Sequence, residues 1–505
     1  MTKKRSRYRG GLVAFVGAIV LVGLAGRAVV AQSTADRAIW HSDVVFMYDN
    51  PDRYAEYGCT VLGWAGRADA EHIRRAHEAG VRLFTTSVGF LTEFRRVIDF
   101  TPDFMDAACR NFAGEPFIVP WLWDHKYKGQ PAWWWCTNSP VYRRYLYSRL
   151  DDVAASGADG LHIDDYAGTS AAVTWRSACF CRYCMAGFRK YLKENASQEK
   201  LKSLGIDDLD SFDYRQFLID RGVTPDDYRR KRGSLPLADE FLDFQVKANV
   251  AFVAAYHREA CRRAGRKLTL SVNSGLGAPM RLAVAPYLSY FCCEIPHNAA
   301  DLSFPRHPIY IYKLADALGK PVAATASGQD WALINAENRT ALVRSWTALS
   351  YAMGHNFMAP QRQWCYTPEK GTHWYDGPTD EYAYVYRFVR EHATLLDGYE
   401  AAASVAVVYG SEANRKGKGR IEPICIELAQ RNVPFDVVIA GDDWLPDQRL
   451  SREIVARYEA VIVPDGLVLD SAQQAVLDAL GEKVVSWSDR DRLFTQLSSP
   501  IQIVG

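Results

Sequence analysis

Cys179, Cys181 and Cys184 stand in a C-x-C-x2-C spacing just before the helix-like stretch 185–193. Three thiolates so close can converge on one tetrahedral zinc ion, with a fourth ligand from elsewhere. The alternative is a surface loop with incidental thiols or a single disulfide. The chain holds 11 cysteines. That number is odd, and too sparse for a disulfide scaffold. A second chemistry lies in carboxylates that close apolar runs. Leu161-His-Ile-Asp164-Asp165 ends on two adjacent aspartates, and Leu288-Ser-Tyr-Phe-Cys-Cys-Glu294 ends on a glutamate. Adjacent carboxylates tend to raise one another's pKa. Two carboxylates in one cleft can divide acid and nucleophile work, as glycoside hydrolysis requires. Strand alternation sends Asp164 and Asp165 to opposite sides, so one enters the cleft while the other fixes a neighbouring loop. Glu294 is the best second carboxylate; Asp330, past a strand end on a loop, is a weaker candidate.

These residues need elements to position them. Short β-rich runs alternate with helix patterns along the chain. The runs cover 44–48, 60–64, 82–87, 117–123, 160–164, 267–273, 288–294, 321–326 and 356–360, and the helix patterns 70–79, 141–156, 240–264, 309–318 and 337–353. This alternation predicts a parallel sheet. Over residues 40–398 it fits a (β/α)8 TIM barrel, in which strand C-terminal ends carry the chemistry. The charged stretch 194–236 interrupts the alternation and reads as a helical insertion, with Tyr228-Arg-Arg-Lys-Arg232 as a solvated face. Trp121, Trp123 and Asp124 would end one strand and Asn273 another, while Gln361, Arg362 and Trp364 would follow the last. Indole faces stack on sugars, and Asn, Asp, Gln and Arg bind hydroxyls, so these residues join Asp330 as candidate substrate contacts. In Trp133-Trp134-Trp135, one ring is expected to pack near the thiols and another to line the cleft. His162 lies inside a strand run and reads as structural.

After Leu396 the alternation restarts at smaller scale, with strands at 404–409, 435–439, 460–464 and 483–487 and helices at 421–431 and 471–480. Residues 399–505 therefore read as a small flavodoxin-like or amidotransferase-like α/β domain. Its 463–466 turn has no nucleophilic Cys, which points to a structural or assembly role. Gly417-Lys-Gly419 lacks phosphate-loop spacing and reads as a plain loop.

Composition narrows the function. Lys plus Arg is 60 against 59 Asp plus Glu, a net charge of +1, so the basic excess of a nucleic-acid binder is missing. There is no H-E-x-x-H pair for a catalytic metal and no G-x-S-x-G elbow for a serine esterase. Hydrophobic residues make up 48%, enough for a large core. The chain opens with a basic segment, Lys3 to Arg9, then an apolar run from Gly10 to Gly26 and small residues up to Ala31. This is the layout of a signal peptide over 1–31, and it predicts export to the periplasm or beyond. The competing reading is an uncleaved anchor, because Arg27 interrupts the usual spacing.

Two motifs carry a family resemblance. Cys136-Thr-Asn-Ser-Pro-Val-Tyr-Arg143, and Cys179-Phe-Cys181-Arg-Tyr-Cys184 followed by Phe188-Arg-Lys-Tyr-Leu192, resemble the zinc-cysteine segments of family 42 glycoside hydrolases, the β-galactosidases. Lys320-Pro321, Gly354-His-Asn-Phe-Met358 with Trp364, and Tyr458 to Pro464 resemble the last barrel units and the trimerisation domain of that family. The resemblance runs from about Val44 to Trp487. It implies a secreted TIM-barrel protein that acts on a carbohydrate. It also implies one structural zinc held by Cys136, Cys179, Cys181 and Cys184, and a homo-oligomer, as a trimer. At the family's acid/base position stands Asp165, with Asp164 in place of the preceding Asn. Ala326 stands about where the family's nucleophile would be. Two functions follow as alternatives: retaining hydrolysis by Asp165, Asp164 and Glu294, or a non-catalytic carbohydrate-binding relative that lacks the nucleophile.

Overall fold

The computed structural model describes residues 37–66, 69–302, 306–398 and 400–497. The leader expected at 1–31 lies outside the described residues. Among the described residues no helix is long and apolar enough to cross a membrane.

Eight parallel strands form a barrel: Val45–Phe46, Val61–Ala65, Leu83–Gly89, Gly160–Asp164, Thr269–Val272, Phe291–Ile295, Val322–Ala326 and Asn356–Phe357. The first five pair in order, as do the last three. Two backbone bonds close the ring. Ser289 N–H donates to the Leu270 carbonyl at 2.8 Å, joining strands five and six, and Ala359 N–H donates to the Val45 carbonyl at 2.8 Å, joining eight to one. The sequence offers nine β-rich runs, and the surplus one is 117–123. There Pro120, which has no N–H to give a sheet, opens a 3-10 turn over Pro120–Leu122. The segment before it folds back on the tryptophan run, with Val119 N–H bonded to the Ala132 carbonyl at 2.9 Å.

Along each strand alternate residues face the barrel axis. Thr85 on strand three reaches across to the Tyr290 hydroxyl at 3.2 Å. Gly63 on strand two lies where a Cβ would come within 2.9 Å of Cys292 Sγ and 3.1 Å of Val45 Cγ1, so this residue must be small for the barrel to close. Helices cover the outside, the longest being Pro140–Ser156, capped by Ser139, and Ala238–Ala264. The helix expected over 337–353 is Thr340–Ala352, and a further helix, Gly328–Glu337, precedes it. Asn338, in the left-handed region at φ 51°, breaks them. The earlier helix starts at a Ser327/Asp330 capping box, a signature that is legible in the sequence.

The insertion carries three short helices, Gln198–Ser203, Tyr214–Ile219 and Pro225–Lys231. Its basic run is not wholly solvated. Tyr228 is buried and stacks on Phe112 with ring centres 4.8 Å apart, while Arg229, Arg230 and Lys231 are exposed. Beyond the barrel, four parallel strands, Val405–Gly410, Phe435–Ala440, Ala460–Val463 and Val484–Ser486, form a separate sheet in the order second, first, third, fourth. Helices Glu422–Gln430 and Ser471–Asp478 pack with it.

Replacing Gly63 by Val is expected to destabilise the protein by about 1–3 kcal/mol through overpacking of the barrel axis. Urea unfolding of the variant beside the wild type checks this; an unchanged midpoint refutes it.

Candidate active site

The alternation on strand four decides which side chains reach the mouth. Leu161 and Ile163 are buried in the layer between strands and helices, while His162 and Asp164 face the axis. His162 bonds Ser271 Oγ through Nδ1 at 2.9 Å and lies on Trp64, with ring centres 4.4 Å apart. Burial pushes its pKa down to about 3, so it is a neutral floor for the site. One step higher, Asp164, Asn273 and Glu294 end strands four, five and six on the same inner side.

Asn273 ties them together. Its Nδ2 donates to Asp164 Oδ1 at 3.2 Å and to Glu294 Oε2 at 3.2 Å, and its Oδ1 accepts from the Glu294 N–H at 3.3 Å. The two carboxylate oxygens therefore lie no farther apart than twice 3.2 Å. Burial raises the Asp164 pKa to about 6, against the pull of the Asn273 amide and the Asp165 N–H. Burial raises Glu294 to about 7, and the Asp164 charge adds to the rise. Tyr48, just past strand one, has its phenol pushed well above the ordinary range by burial, then by Asp164 and Glu294, so it remains a proton donor.

Asp165 behaves otherwise than alternation predicts. Its φ of 51° takes the chain off the strand, and its carbonyl accepts from Gly168 N–H at 2.9 Å in a tight turn. Its carboxyl stays on the cleft side, within the fields of Asp164, Arg281 and Glu294. Burial and the Asp164 charge push its pKa well up. Asp164 thus shares a partner with Glu294, and Asp165 sits beside them.

The other expected contacts scatter. Asp330 is spent on structure. Its carboxylate accepts from His297 N–H at 2.9 Å, Ala299 N–H at 2.7 Å and Ser327 Oγ at 2.7 Å. Gln361 is buried, accepting from Asn50 Nδ2 at 2.7 Å and donating to the Tyr48 carbonyl at 3.0 Å, so it anchors the loop that carries Tyr48. Arg362 pairs with Asp376 at 3.0 Å and lies 4.5 Å over Trp374, whose ring meets Tyr48 edge-on. Trp364 is on the hairpin strand Gln363–Thr367 and stacks on Tyr366. Trp121 ends no strand; it packs edge-on against Trp134 and Trp175. Trp123 and Asp124 are exposed, and Asp124 bonds His125 at 3.0 Å. Ala326 is buried at the end of strand seven and offers no functional group.

Tyr48, Arg281, Trp175 and Trp374 were not legible beforehand, because each reaches the mouth from a loop, a short helix or a hairpin that no periodicity marks. Only Tyr48, the last residue of the first β-rich run, carried a positional hint.

The four cysteines do converge. Cys136, Cys179, Cys181 and Cys184 are buried, with their sulfur atoms all within 4.8 Å of one another. Cys136 Sγ is 3.6 Å from Cys181 Sγ and 3.5 Å from Cys184 Sγ, and none of the 11 cysteines is in a disulfide. Four thiolates bound to one ion at about 2.3 Å stand ~3.8 Å apart, so the cluster fits a tetrahedral metal ion. Arg110 N–H at 3.3 Å from Cys179 and Asn138 Nδ2 at 3.4 Å from Cys184 supply donors suited to thiolates.

Comparison with known proteins agrees with this geometry. No protein-family model matches the chain. Over 366 residues, 70% of the chain, it is 26% identical to an α-agarase of Alteromonas agarilytica and 25% identical to one of Thalassotalea agarivorans. Its fold is similar to that of a cold-adapted β-galactosidase from Rahnella sp. R3, with a TM-score of 0.55 at 15% identity, covering 89% of this chain and 71% of that one. This is a glycosidase-like barrel. The segment matched spans 25% of the length of each agarase, so the likeness concerns one part of those larger proteins.

In this glycosidase-like barrel the shared amide lowers the pKa of both carboxyls it touches. Asn273→Ala is therefore expected to move both titrations to higher pH, by up to about one unit. Infrared titration of the carboxyl band, read against Asp164→Asn and Glu294→Gln, measures it. A shift to lower pH, or none, refutes the bridging role.

Proposed function

We propose that the protein is a retaining glycoside hydrolase of a galactan-type polysaccharide, with Asp164 as nucleophile and Glu294 as acid/base. The observation that carries this reading is the Asn273 amide, which holds both carboxyls within a double hydrogen-bond span at the barrel mouth. Carboxyls ~5–5.5 Å apart attack directly, whereas ~6.5–9.5 Å leaves room for a water between them. The span here favours the first. Glu294, with the higher pKa, keeps its proton while Asp164 is ionised. In the first step Asp164 bonds to the anomeric carbon as Glu294 gives its proton to the leaving oxygen. In the second, Glu294 takes a proton from water, which attacks the anomeric carbon and frees Asp164. Tyr48 and the pair Arg362 and Trp374 stand where sugar hydroxyls and faces would be met. Likeness to the α-agarases supports an agar-type galactan as substrate. Export through the 1–31 leader suits a polymer that cannot enter the cell.

A second reading rests on Ala326, which leaves strand seven without a carboxylate. On that reading the barrel binds carbohydrate and does not cut it. Turnover separates the two. Hydrolysis is expected to follow a bell-shaped pH profile, rising as Asp164 ionises near pH 6 and falling as Glu294 loses its proton near pH 7. Glu294→Ala should lower turnover of unactivated substrate by about 10²–10⁴-fold and spare aryl glycosides with good leaving groups. Asp164→Ala should be rescued by azide, giving a glycosyl azide of inverted configuration. Full activity in both variants overturns the assignment.

The cysteine cluster is read as a closed structural zinc site. With four thiolates bound, no position remains for a reactive water. Metal analysis is expected to find about one zinc per chain. Cys184→Ser should lose it and lower the melting temperature, with the pH profile of any residual activity unmoved. Zinc-free wild-type protein refutes the site.

The C-terminal sheet, with no catalytic group assigned to it, is read as an assembly module of a homotrimer. Light scattering is expected to give about three times the chain mass; a monomer overturns this.

A further inference from the structure

One cation at the mouth is left without a counter-charge. The Arg281 guanidinium lies 5.3 Å over the Trp175 ring and 6.0 Å from the Tyr166 ring centre. Tyr166 follows Asp165 directly, so this is the same rim that carries the carboxyls. The Arg281 main chain is anchored: its carbonyl accepts from Tyr166 Oη at 3.1 Å and from Ser274 Oγ at 3.3 Å. The guanidinium itself makes no hydrogen bond or ion pair among the described residues, although it is half-buried. Folds rarely keep a half-buried cation unpaired, because the desolvation goes uncompensated. Asp165 feels its field but forms no ion pair with it, and burial biases that carboxyl toward its neutral form.

Trp175 is 53% exposed, which is unusual for the largest apolar side chain beside a cleft. It is nonetheless fixed, edge-on to Trp121 at 5.9 Å and Trp134 at 6.3 Å. Arg281 covers part of the ring and leaves the exposed part for a sugar. The next residue, Arg176, is exposed and also forms no hydrogen bond or ion pair among the described residues. A rigid indole for stacking, with an unpaired guanidinium over one side of it, is what a charged sugar needs. The ring takes the apolar face, and the forked donors take an oxyanion.

We propose that Trp175 and Arg281 form a subsite for a sugar residue bearing an anionic group, a sulfate ester or a uronate carboxylate, next to the cleavage point. The proposal rests on the glycosidase reading of the carboxyl pair and names its substrate class. It also resolves an electrostatic difficulty. Asp164, the carboxyl that is ionised in that reading, repels an acidic chain unless a cation on the rim offsets it.

The test measures binding in the full chain carrying Glu294→Gln, so that no probe is cut during titration. Three oligosaccharides of equal length are compared by calorimetry: a neutral agaro-oligosaccharide, a sulfated galactan and an oligogalacturonate. At least one anionic probe is expected to bind ~10-fold tighter than the neutral one, with the difference shrinking as salt rises. The anionic probe that binds tighter tells sulfate from carboxylate. Adding Arg281→Gln should collapse the preference to within about threefold, whereas Arg281→Lys, which keeps the charge, should retain most of it. Equal or tighter binding of the neutral probe, no binding of any probe, or an unaltered preference in Arg281→Gln overturns the subsite. Cleavage by the wild type is read separately. A preference for acidic probes without cleavage of any sugar removes the hydrolase reading and leaves the subsite. Cleavage without the preference does the reverse.

Discussion

Two carboxyls that repel each other hang on one amide. Asp164 and Glu294 end different strands of a closed barrel, and the Asn273 side chain between them donates to both. Without that donor the like charges and the burial would act together, and both carboxyls would titrate at higher pH. With it, the raised values lie about one unit apart, close enough for the two groups to titrate as a unit and to hold one proton between them. Much of the surrounding structure serves to keep these three strand ends level. A small residue at Gly63 lets the ring close, His162 sits under the pair as a neutral plug, and Gln361 holds the loop of Tyr48.

The cysteine cluster reaches the same place by another route. Cys136 follows Trp134, whose indole N–H holds the Gly168 carbonyl at 3.1 Å in the turn just past Asp165. Thr137, after Cys136, bonds Thr169 through both its N–H, at 2.7 Å, and its hydroxyl, at 2.8 Å. Asn249 from the long helix Ala238–Ala264 donates to the Tyr166 carbonyl at 3.1 Å. The four thiols therefore fasten the segment that braces the loop after strand four. The cysteine cluster is thereby tied to the carboxyl loop through packing and hydrogen bonds alone. The same Trp134 supports Trp175 from behind, so one aromatic stack serves both the carboxyl loop and the rim where sugar would bind.

The C-terminal sheet touches this machinery only at its margin. Lys313, on the barrel helix His307–Ala317, lies 3.5 Å from Asp436 of that sheet, and His307 pairs with Glu422 at 2.7 Å. Trp444 packs against Val246 and Ala283, close to Arg281 in sequence. These contacts dock the sheet against helices on the barrel's flank and leave the carboxyl pair to the barrel alone.

Local sequence determined the periodic parts. Strand–helix alternation is written in side-chain spacing, so seven of the barrel strands, the long helices and the smaller sheet were legible, with boundaries good to about three residues. The first strand was legible as well, although only Val45–Phe46 of its run pairs regularly. The thiol spacing and the strand-end positions of Asp164, Asn273 and Glu294 were legible for the same reason. Tertiary structure decided what periodicity does not encode. Pro120 turned an apparent strand into a fold-back. The left-handed backbone at Asp165 brought two consecutive carboxyls to one side of the sheet. Asp330 belongs to the capping box that the sequence marks, and the fold adds His297 and Ala299, whose N–H groups reach it across 31 to 33 positions of sequence. Arg281, Trp175 and Tyr48 joined the mouth from irregular segments, where the neighbour of a side chain is fixed by how distant elements pack and not by the residues on either side of it.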